Sequence, residues 1–571
     1  MPRTVSIGLQ SFEKIRQNNC FYVDKAAFLK EWWENGDDVT LITRPRRFGK
    51  TLTMNMVKTF FSLEDAGKGE LFEGLSIWEE GRYRELQGTY PVIFLSFADV
   101  KQTTCKSAQQ NINQSIASLY SRYSFLKDSP VLTTKDRGYW ERVSAYMSAS
   151  DASLSLHNLS EYLFRYYQKK VIILLDEYDT PMHEAYVYGY WDKMAEYIRG
   201  IFNSTFKTNP YLERALMTGI TRISKESIFS DLNNLEVVTT TSEKYESSFG
   251  FTQEEIDTAL AEYGLFDQRD KVRDWYDGFT FGRLTGIYNP WSMINYLDKR
   301  KFAAYWANTS SNSLVGQLLR QGSRRLKEKF EDLLKGKTIH VEIDEQIIFQ
   351  QLDESGSAVW NLLLAAGYLK VVQHKAYVTE YGDWVEDYEL ALTNFEVKSM
   401  YQRMIRGWFK DSDTSYHDFV EALLQGDLDL MEWSMNEMCK KIFSYFDTGK
   451  GASDRTEPER FYHGFVLGLM MDLNGRFIIT SNRESGFGRY DIQMEPREQK
   501  DPAIIIEFKV FNPKKEKVLS DTVAAALQQI REKEYAASLE AKGIPPERIR
   551  VYGFAFEGKK VQIGQWIESE E

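Results

Sequence analysis

The stretch LITRPRRFGKTLTM, from Leu41 to Met54, decides how the rest of this sequence is read. An apolar run enters a basic turn, and residues with helical spacing leave it, which is the outline of a phosphate-binding loop between a strand and a helix. Such loops read G-x-x-x-x-G-K-[ST]. Gly49, Lys50 and Thr51 supply the second half, but Arg44 stands where the first glycine belongs. The chemistry asks for backbone N–H groups that converge on phosphate oxygens at a helix N-terminus. That requirement makes Arg46, Arg47, Phe48, Gly49, Lys50, Thr51 and Leu52 the candidate nucleotide-binding residues. Lys50 would sit on the β and γ phosphates and the Thr51 hydroxyl would ligate Mg²⁺. Losing the glycine matters only if that position needs a positive φ, and Pro45 stiffens the turn by another route.

A second motif turns an isolated G-K-T, which is common, into an argument. KVIILLDE, Lys170 to Glu177, is a buried strand that runs straight into two carboxylates. Asp176 is placed to orient Mg²⁺ and Glu177 to activate water. Asp38 to Thr43, Tyr90 to Phe97 and Glu213 to Gly219 are three more short apolar runs, spaced for crossover helices. The expected fold is therefore α/β with a largely parallel sheet. MTGITRISKESIFSDLNN then puts Thr218, Thr221 and Arg222 at the carboxyl end of that sheet, where ligands of open α/β folds bind.

These stretches, with FYVDKAAFLKEW, resemble the AAA-ATPase-like family over roughly residues 5 to 235. In that family RPRRFGK is the ordinary form of the loop. The resemblance implies a P-loop ATPase fold that takes ATP and Mg²⁺, with Lys50 and Thr51 at the phosphates and metal, and Asp176 and Glu177 as the Walker B pair. An arginine completes many such sites from a neighbouring subunit. Arg46, Arg47 and Arg222 are candidates for that charge, and a homo-oligomer is expected.

Bulk properties bound the remainder. A chain of 571 residues with 43% hydrophobic and 14% aromatic content holds two to four folded domains. Cys20, Cys105 and Cys439 form no C-x-x-C pair, so neither a disulfide framework nor a zinc site is expected. Met1 to Gln10 lacks a signal-peptide core and no apolar run suffices for a membrane span, so a cytoplasmic protein without a membrane partner is expected. A net charge of −12 argues against a surface that binds nucleic acid everywhere. Basic stretches are local, at Arg320 to Phe330 and Lys509 to Val518. The pattern divides the chain into residues 1–240, a mostly helical 241–398 and a mixed α/β 399–571. In the middle part AVWNLLLAAGYLKVVQ followed by AYVTE and YELALTN has the form of a helix running into a β-wing, as in winged-helix modules.

The last part carries its own constellation. In GRYDIQMEPREQKDPAIIIEFKV, Glu507 and Lys509 are two apart on one strand and so project from the same face. The REQKDP turn folds the preceding strand back, which brings Asp491 toward Glu507. Two carboxylates and an ammonium suit metal-dependent phosphodiester cleavage, since hard oxygens hold Mg²⁺ or Mn²⁺ and the ammonium stabilises developing charge. E-x-K alone is frequent in charged strands. Together with Glu459 in EPERFYHGFVLGLMMDL and a glutamine in AAALQQIREKEY, the order resembles the PD-(D/E)XK nuclease superfamily over about residues 400 to 560. It is most similar to the nuclease domain that accompanies AAA-ATPase-like modules, which carries F-Y-H-G, E-S-G-x-G-R-x-D and A-L-x-Q-I. The resemblance implies Glu459, Asp491 and Glu507 as metal-site acids, Lys509 as the catalytic lysine and Gln529, rather than Gln528, as the auxiliary residue. His463 is read as a packed helix histidine. The expected protein is a metal-dependent DNA nuclease under ATP control, acting in phage defence or mobile-element biology. The competing reading, from the acidic balance, is a nucleotide-dependent switch whose nuclease-like domain binds nucleic acid or a partner without cutting.

Overall fold

The structure is a computed structural model that describes residues 2–566, apart from 224–227, 230, 231, 308–314, 317, 320–323, 335, 344–355, 381, 411, 412, 444–465, 467–469, 471, 472, 474, 482, 483, 486, 487, 499, 514 and 559. Two compact units emerge, Met1–Leu318 with Asp332–Met400, and Leu319–Glu331 with Tyr401–Glu571.

The first unit is built on a parallel sheet of β1 (Val39–Thr43), β2 (Val92–Ser96), β3 (Val171–Asp176), β4 (Leu212–Gly219) and β5 (Leu235–Val238), in the order β2–β3–β4–β1–β5. All five residues of β1 and all six of β3 are buried, as a strand covered by helices on both faces must be. Four of the strands lie where the sequence places them. The fifth, LEVV, is short and mostly half-buried, so it has no apolar run to announce it.

Strand order has a direct consequence for chemistry. Because β4 is hydrogen-bonded to β1 on one side and β3 on the other, with Thr43 opposite Gly219 and Leu175 opposite Met217, three carboxyl ends lie side by side. The loop after β1, the acids after β3 and the threonines at the end of β4 therefore share one edge of the sheet.

The remainder of this unit is mostly helical, and side-chain caps start two of its helices. Thr252 and Glu255 form a capping box on helix Gln253–Glu262. Asn289 accepts from the N–H groups of Trp291 and Ser292 ahead of helix Pro290–Lys299. A hairpin of β6 (Phe279–Phe281) and β7 (Leu284–Ile287) lies between them in sequence. Helix Gly356–Ala365 then runs into an antiparallel sheet of β8 (Ile339–Glu342), β9 (Leu369–Val378) and β10 (Trp384–Leu392), ordered β8–β10–β9. Among the described residues no helix is long and apolar enough to cross a membrane.

The second unit has a mixed sheet, ordered β11 (Phe477–Ser481), β14 (Ile492–Pro496), β15 (Ala503–Val510), β16 (Ile549–Glu557) and β17 (Lys560–Gln565). Glu484–Ser485 and Gly488–Arg489 pair separately as β12 and β13. Only β15 and β16 run parallel. Alternation along β15 sends Ile504, Ile506 and Phe508 into a core with Phe419, Met431, Met435 and Met438, which come from helices Asp413–Gln425 and Leu428–Phe443. Ala503 and Ile505 pack on the other face with Ile530, Tyr535 and Leu539. Glu507 and Lys509 are in phase with this second set.

Candidate functional site

Helix Lys50–Phe61 starts at Gly49, whose φ is +85°, and no side chain caps its first turn. Arg47 also has a positive φ, +66°, whereas Arg44 does not. The conformation that glycine favours is therefore needed at Arg47 and Gly49 and not at Arg44. Lys50 is buried at 3% exposure, and its Nζ donates to the carbonyls of Arg44 (3.0 Å) and Pro45 (3.1 Å), 3.8 Å from the Glu177 carboxylate. Arg46 and Arg47 are exposed, Phe48 is buried, and Thr51 and Leu52 are half-buried in the first helical turn.

Asp176, 125 residues on, meets this helix. Its carboxylate accepts from the Thr51 hydroxyl at 2.8 Å and from the Thr218 hydroxyl at 2.5 Å, so the helix after the loop and the neighbouring strand β4 each present a hydroxyl to it. Glu177 follows with φ +54°, a strained value for glutamate. Withdrawal from solvent raises its carboxyl pKa, the Lys50 charge opposes this, and the charges of Asp179 and Asp176 add to it.

In the second unit the antiparallel register Ile492 to Ile506 sets Asp491, one residue ahead of β14, beside Glu507. Asp491 Oδ2 accepts from the Phe508 N–H at 2.8 Å. Gln529, on helix Leu519–Glu532, accepts from Lys509 Nζ at 2.6 Å and donates to the Glu507 carboxylate and to the Tyr535 hydroxyl at 3.0 Å. Gln528 instead bonds Glu532 on the exposed side of the same helix. Burial raises the pKa of the Tyr535 hydroxyl, Gln529 opposes this, and the charges of Glu507 and Asp491 raise it further, so both acids lie within electrostatic reach of one phenol. Glu459 and His463 lie outside the described residues.

Residues 6–229 match the family described as predicted AAA-ATPase, and residues 457–566 match the PD-(D/E)XK nuclease superfamily. An AAA-ATPase-like domain and a PD-(D/E)XK nuclease superfamily domain thus share this chain. An uncharacterized protein in the vnfD 5′ region of Azotobacter chroococcum mcd 1 is 24% identical to it, over 99% of both chains.

Two features of the AAA-ATPase-like domain escaped the sequence reading. The first is Asp179, three residues past Asp176 and fully buried, whose Oδ2 accepts from the N–H groups of Ile220 (2.9 Å) and Thr221 (2.8 Å), the Thr221 hydroxyl and His183 Nε2. Burial alone would raise its pKa, but His183 and the two N–H groups pull it down to about 2. Beside it Tyr178 donates to the Thr221 carbonyl, and Gly219 passes so close that a Cβ would lie 2.6 Å from the tyrosine ring. The available signal was the second aspartate in DEYDTP ahead of a helix with proline at its start. Arg222 is half-buried beside this network and lines an open cleft of about 550 Å³ with Glu342, Trp384 and Tyr388.

The second feature is the set of side chains that grip the loop from residues 239–306. Phe48 is buried against Phe279 and Phe281, and the Arg47 guanidinium lies 4.5 Å from the Trp291 ring centre. These partners follow the AAA-ATPase-like match in sequence, so no motif within it points to them.

The residues fit the groups the two families imply. Thr51 and Asp176 offer a hydroxyl and a carboxylate 2.8 Å apart, the hard oxygen donors Mg²⁺ takes. Asp491 and Glu507 offer a second oxygen pair for Mg²⁺ or Mn²⁺. Among the described residues no group of three His, Cys, Asp or Glu side chains is gathered tightly enough to be a metal cage by itself.

Proposed function

We propose that this chain is a nuclease gated by nucleotide, with ATP and Mg²⁺ at the loop after β1 and Mg²⁺- or Mn²⁺-dependent cleavage of DNA at β14 and β15. The observation that carries the reading is the meeting of four residues separated in sequence: Gln529 joins Lys509 to Glu507, and Asp491 is fixed to the next backbone N–H, that of Phe508.

At the nucleotide site the loop N–H groups and Lys50 hold the phosphates, while Thr51 and Asp176 hold the metal. Glu177 is the base that orients and deprotonates water, and its raised pKa favours that exchange. Thr218 fixes Asp176 from the side opposite Thr51. Arg46, Arg47 and Arg222 are the candidates for charge stabilisation, within one copy or across a homo-oligomer.

At the nuclease site Asp491 and Glu507, with Glu459, hold the cation, which supplies Lewis-acid polarisation of the scissile phosphate when bound. Lys509 faces the developing negative charge, and Gln529 holds its Nζ in place relative to Glu507. A gate upstream of such an activity fits phage defence or mobile-element biology, where cutting must await a trigger.

The test is cleavage of single- and double-stranded DNA by the full chain with Mg²⁺ or Mn²⁺, with and without ATP, alongside Lys50→Ala and Lys509→Ala. Lys509→Ala is expected to lose cleavage and keep its thermal midpoint, and Lys50→Ala to lose the effect of ATP. Equal cleavage by Lys509→Ala sinks the assignment. A mobility shift of DNA without cleavage under every metal supports a binding switch instead.

A further inference from the structure

Three consecutive carbonyls of the phosphate loop are held by side-chain donors. Lys50 Nζ takes those of Arg44 and Pro45, and the Arg46 carbonyl accepts from Trp306 Nε1 at 3.0 Å and Asn289 Nδ2 at 3.3 Å. A trans peptide is planar, so the N–H of residue i+1 points opposite to the carbonyl of residue i. Turning the Arg46 carbonyl toward Trp306 therefore turns the Arg47 N–H away from it, and the direction of one loop donor is set by an indole 260 residues along the chain.

Arg44 anchors the same loop at its other end. Its N–H donates to the Gly219 carbonyl at 3.1 Å, which ties the loop to β4. Its guanidinium is fully buried and donates through Nη1 to the Thr43 (3.0 Å) and Thr239 (2.5 Å) carbonyls, 4.5 Å from the Phe281 ring centre and 5.7 Å from that of Phe249. A buried guanidinium is costly and is tolerated only where carbonyls and ring faces replace water. Here they come from the end of β1, from the segment that follows β5 and from the β6–β7 hairpin.

We infer that Arg44 and Trp306 are positioning residues of the phosphate loop, which replace the shaping role of the first glycine in the standard motif and so set the affinity for a nucleoside triphosphate. This rests on the nucleotide site proposed above. The middle segment thereby belongs to the nucleotide site, although none of its atoms is assigned to the phosphates.

The experiment measures ATP·Mg²⁺ affinity by calorimetry, and the thermal midpoint, on the full chain. The variants are Trp306→Phe, Arg44→Lys, Arg44→Gly and Lys50→Ala. Trp306→Phe removes the N–H and keeps a smaller aromatic ring against Phe279 and Tyr368, so it is expected to weaken ATP about tenfold, with a lowered midpoint from the lost indole volume. Arg44→Gly restores the standard motif and is nonetheless expected to bind more weakly, and Arg44→Lys to rescue part of the loss. Wild-type affinity in Trp306→Phe, or tighter binding in Arg44→Gly, overturns the inference. So does a lowered midpoint with unchanged affinity, the mark of a structural role alone. Wild-type protein that binds no ATP brings down the site assignment and this inference together, and Lys50→Ala separates that case from nonspecific binding.

Discussion

Asp179 is a carboxylate whose charge holds two strand ends together. Buried after β3, it collects two backbone N–H groups from the residues after β4, and His183 completes the set. Its pKa of about 2 lies below the ordinary aspartate value of 3.8, so its ionised form stabilises the fold at every pH above about 4 and that contribution is lost as pH falls toward 2. The separation corresponds to about 2 kcal/mol. Asp179→Asn is expected to be less stable by about that amount in urea at pH 6, with the difference from wild type shrinking between pH 4 and pH 2. A difference that stays constant over this range would show that shape, not charge, is what the site uses. Of this network the sequence made Asp176, Thr218 and Thr221 legible, because a strand that ends in polar residues marks the working edge of a parallel sheet. Asp179 was not legible, since its partners lie 41 and 42 residues away and only the strand order brings them together.

The element that assembles the proposed nuclease site is helix Leu519–Glu532, and what lets it lie close to the sheet is glycine. A Cβ at Gly553 of β16 would stand 2.9 Å from the Val523 carbonyl and 3.1 Å from Leu527, both on that helix. Gly553→Val must therefore lift the helix, which carries Gln529 away from Glu507 and Lys509. Overpacking of this kind costs about 1–3 kcal/mol. The expected outcome is a lowered midpoint with DNA cleavage lost at temperatures where the protein is still folded; full cleavage would show that Gln529 is dispensable. Strands that deliver site residues, β1, β3, β4 and β15, were legible because each carries a short cluster of apolar residues bounded by polar ones. The edge strands β5 and β17 were not: KVQIGQ alternates polar with apolar residues, as an edge strand with one wet face does, and follows the preceding strand too closely to be told from a turn. The loop's anchors were hidden for a different reason, since Arg44 to Thr239 and Trp306 to Arg46 are contacts across 195 and 260 residues.

On the scale of the whole molecule, each unit has its own apolar core and its own proposed site. Ile256, Leu260 and Tyr276 anchor a cluster in the first, and Phe419, Met435 and Phe554 one in the second. A ligand that binds only the folded form stabilises what it binds by RT ln(1 + [L]/Kd), about 2.7 kcal/mol at a hundredfold excess over Kd. The groups proposed to hold ATP·Mg²⁺ all belong to the first unit, so calorimetry of the full chain is expected to resolve two transitions, of which ATP raises one. Lys50→Ala is expected to abolish that shift and leave both transitions otherwise in place, and Lys509→Ala to keep it. If ATP instead moves a single transition, or both equally, the two units unfold as one, and the nucleotide's binding energy is delivered to the nuclease site through folding cooperativity, not through a separate switching element. The contrast between Lys50→Ala and Lys509→Ala distinguishes these cases, because the first removes the ligand's hold on its own unit and the second touches only the site proposed in the other unit.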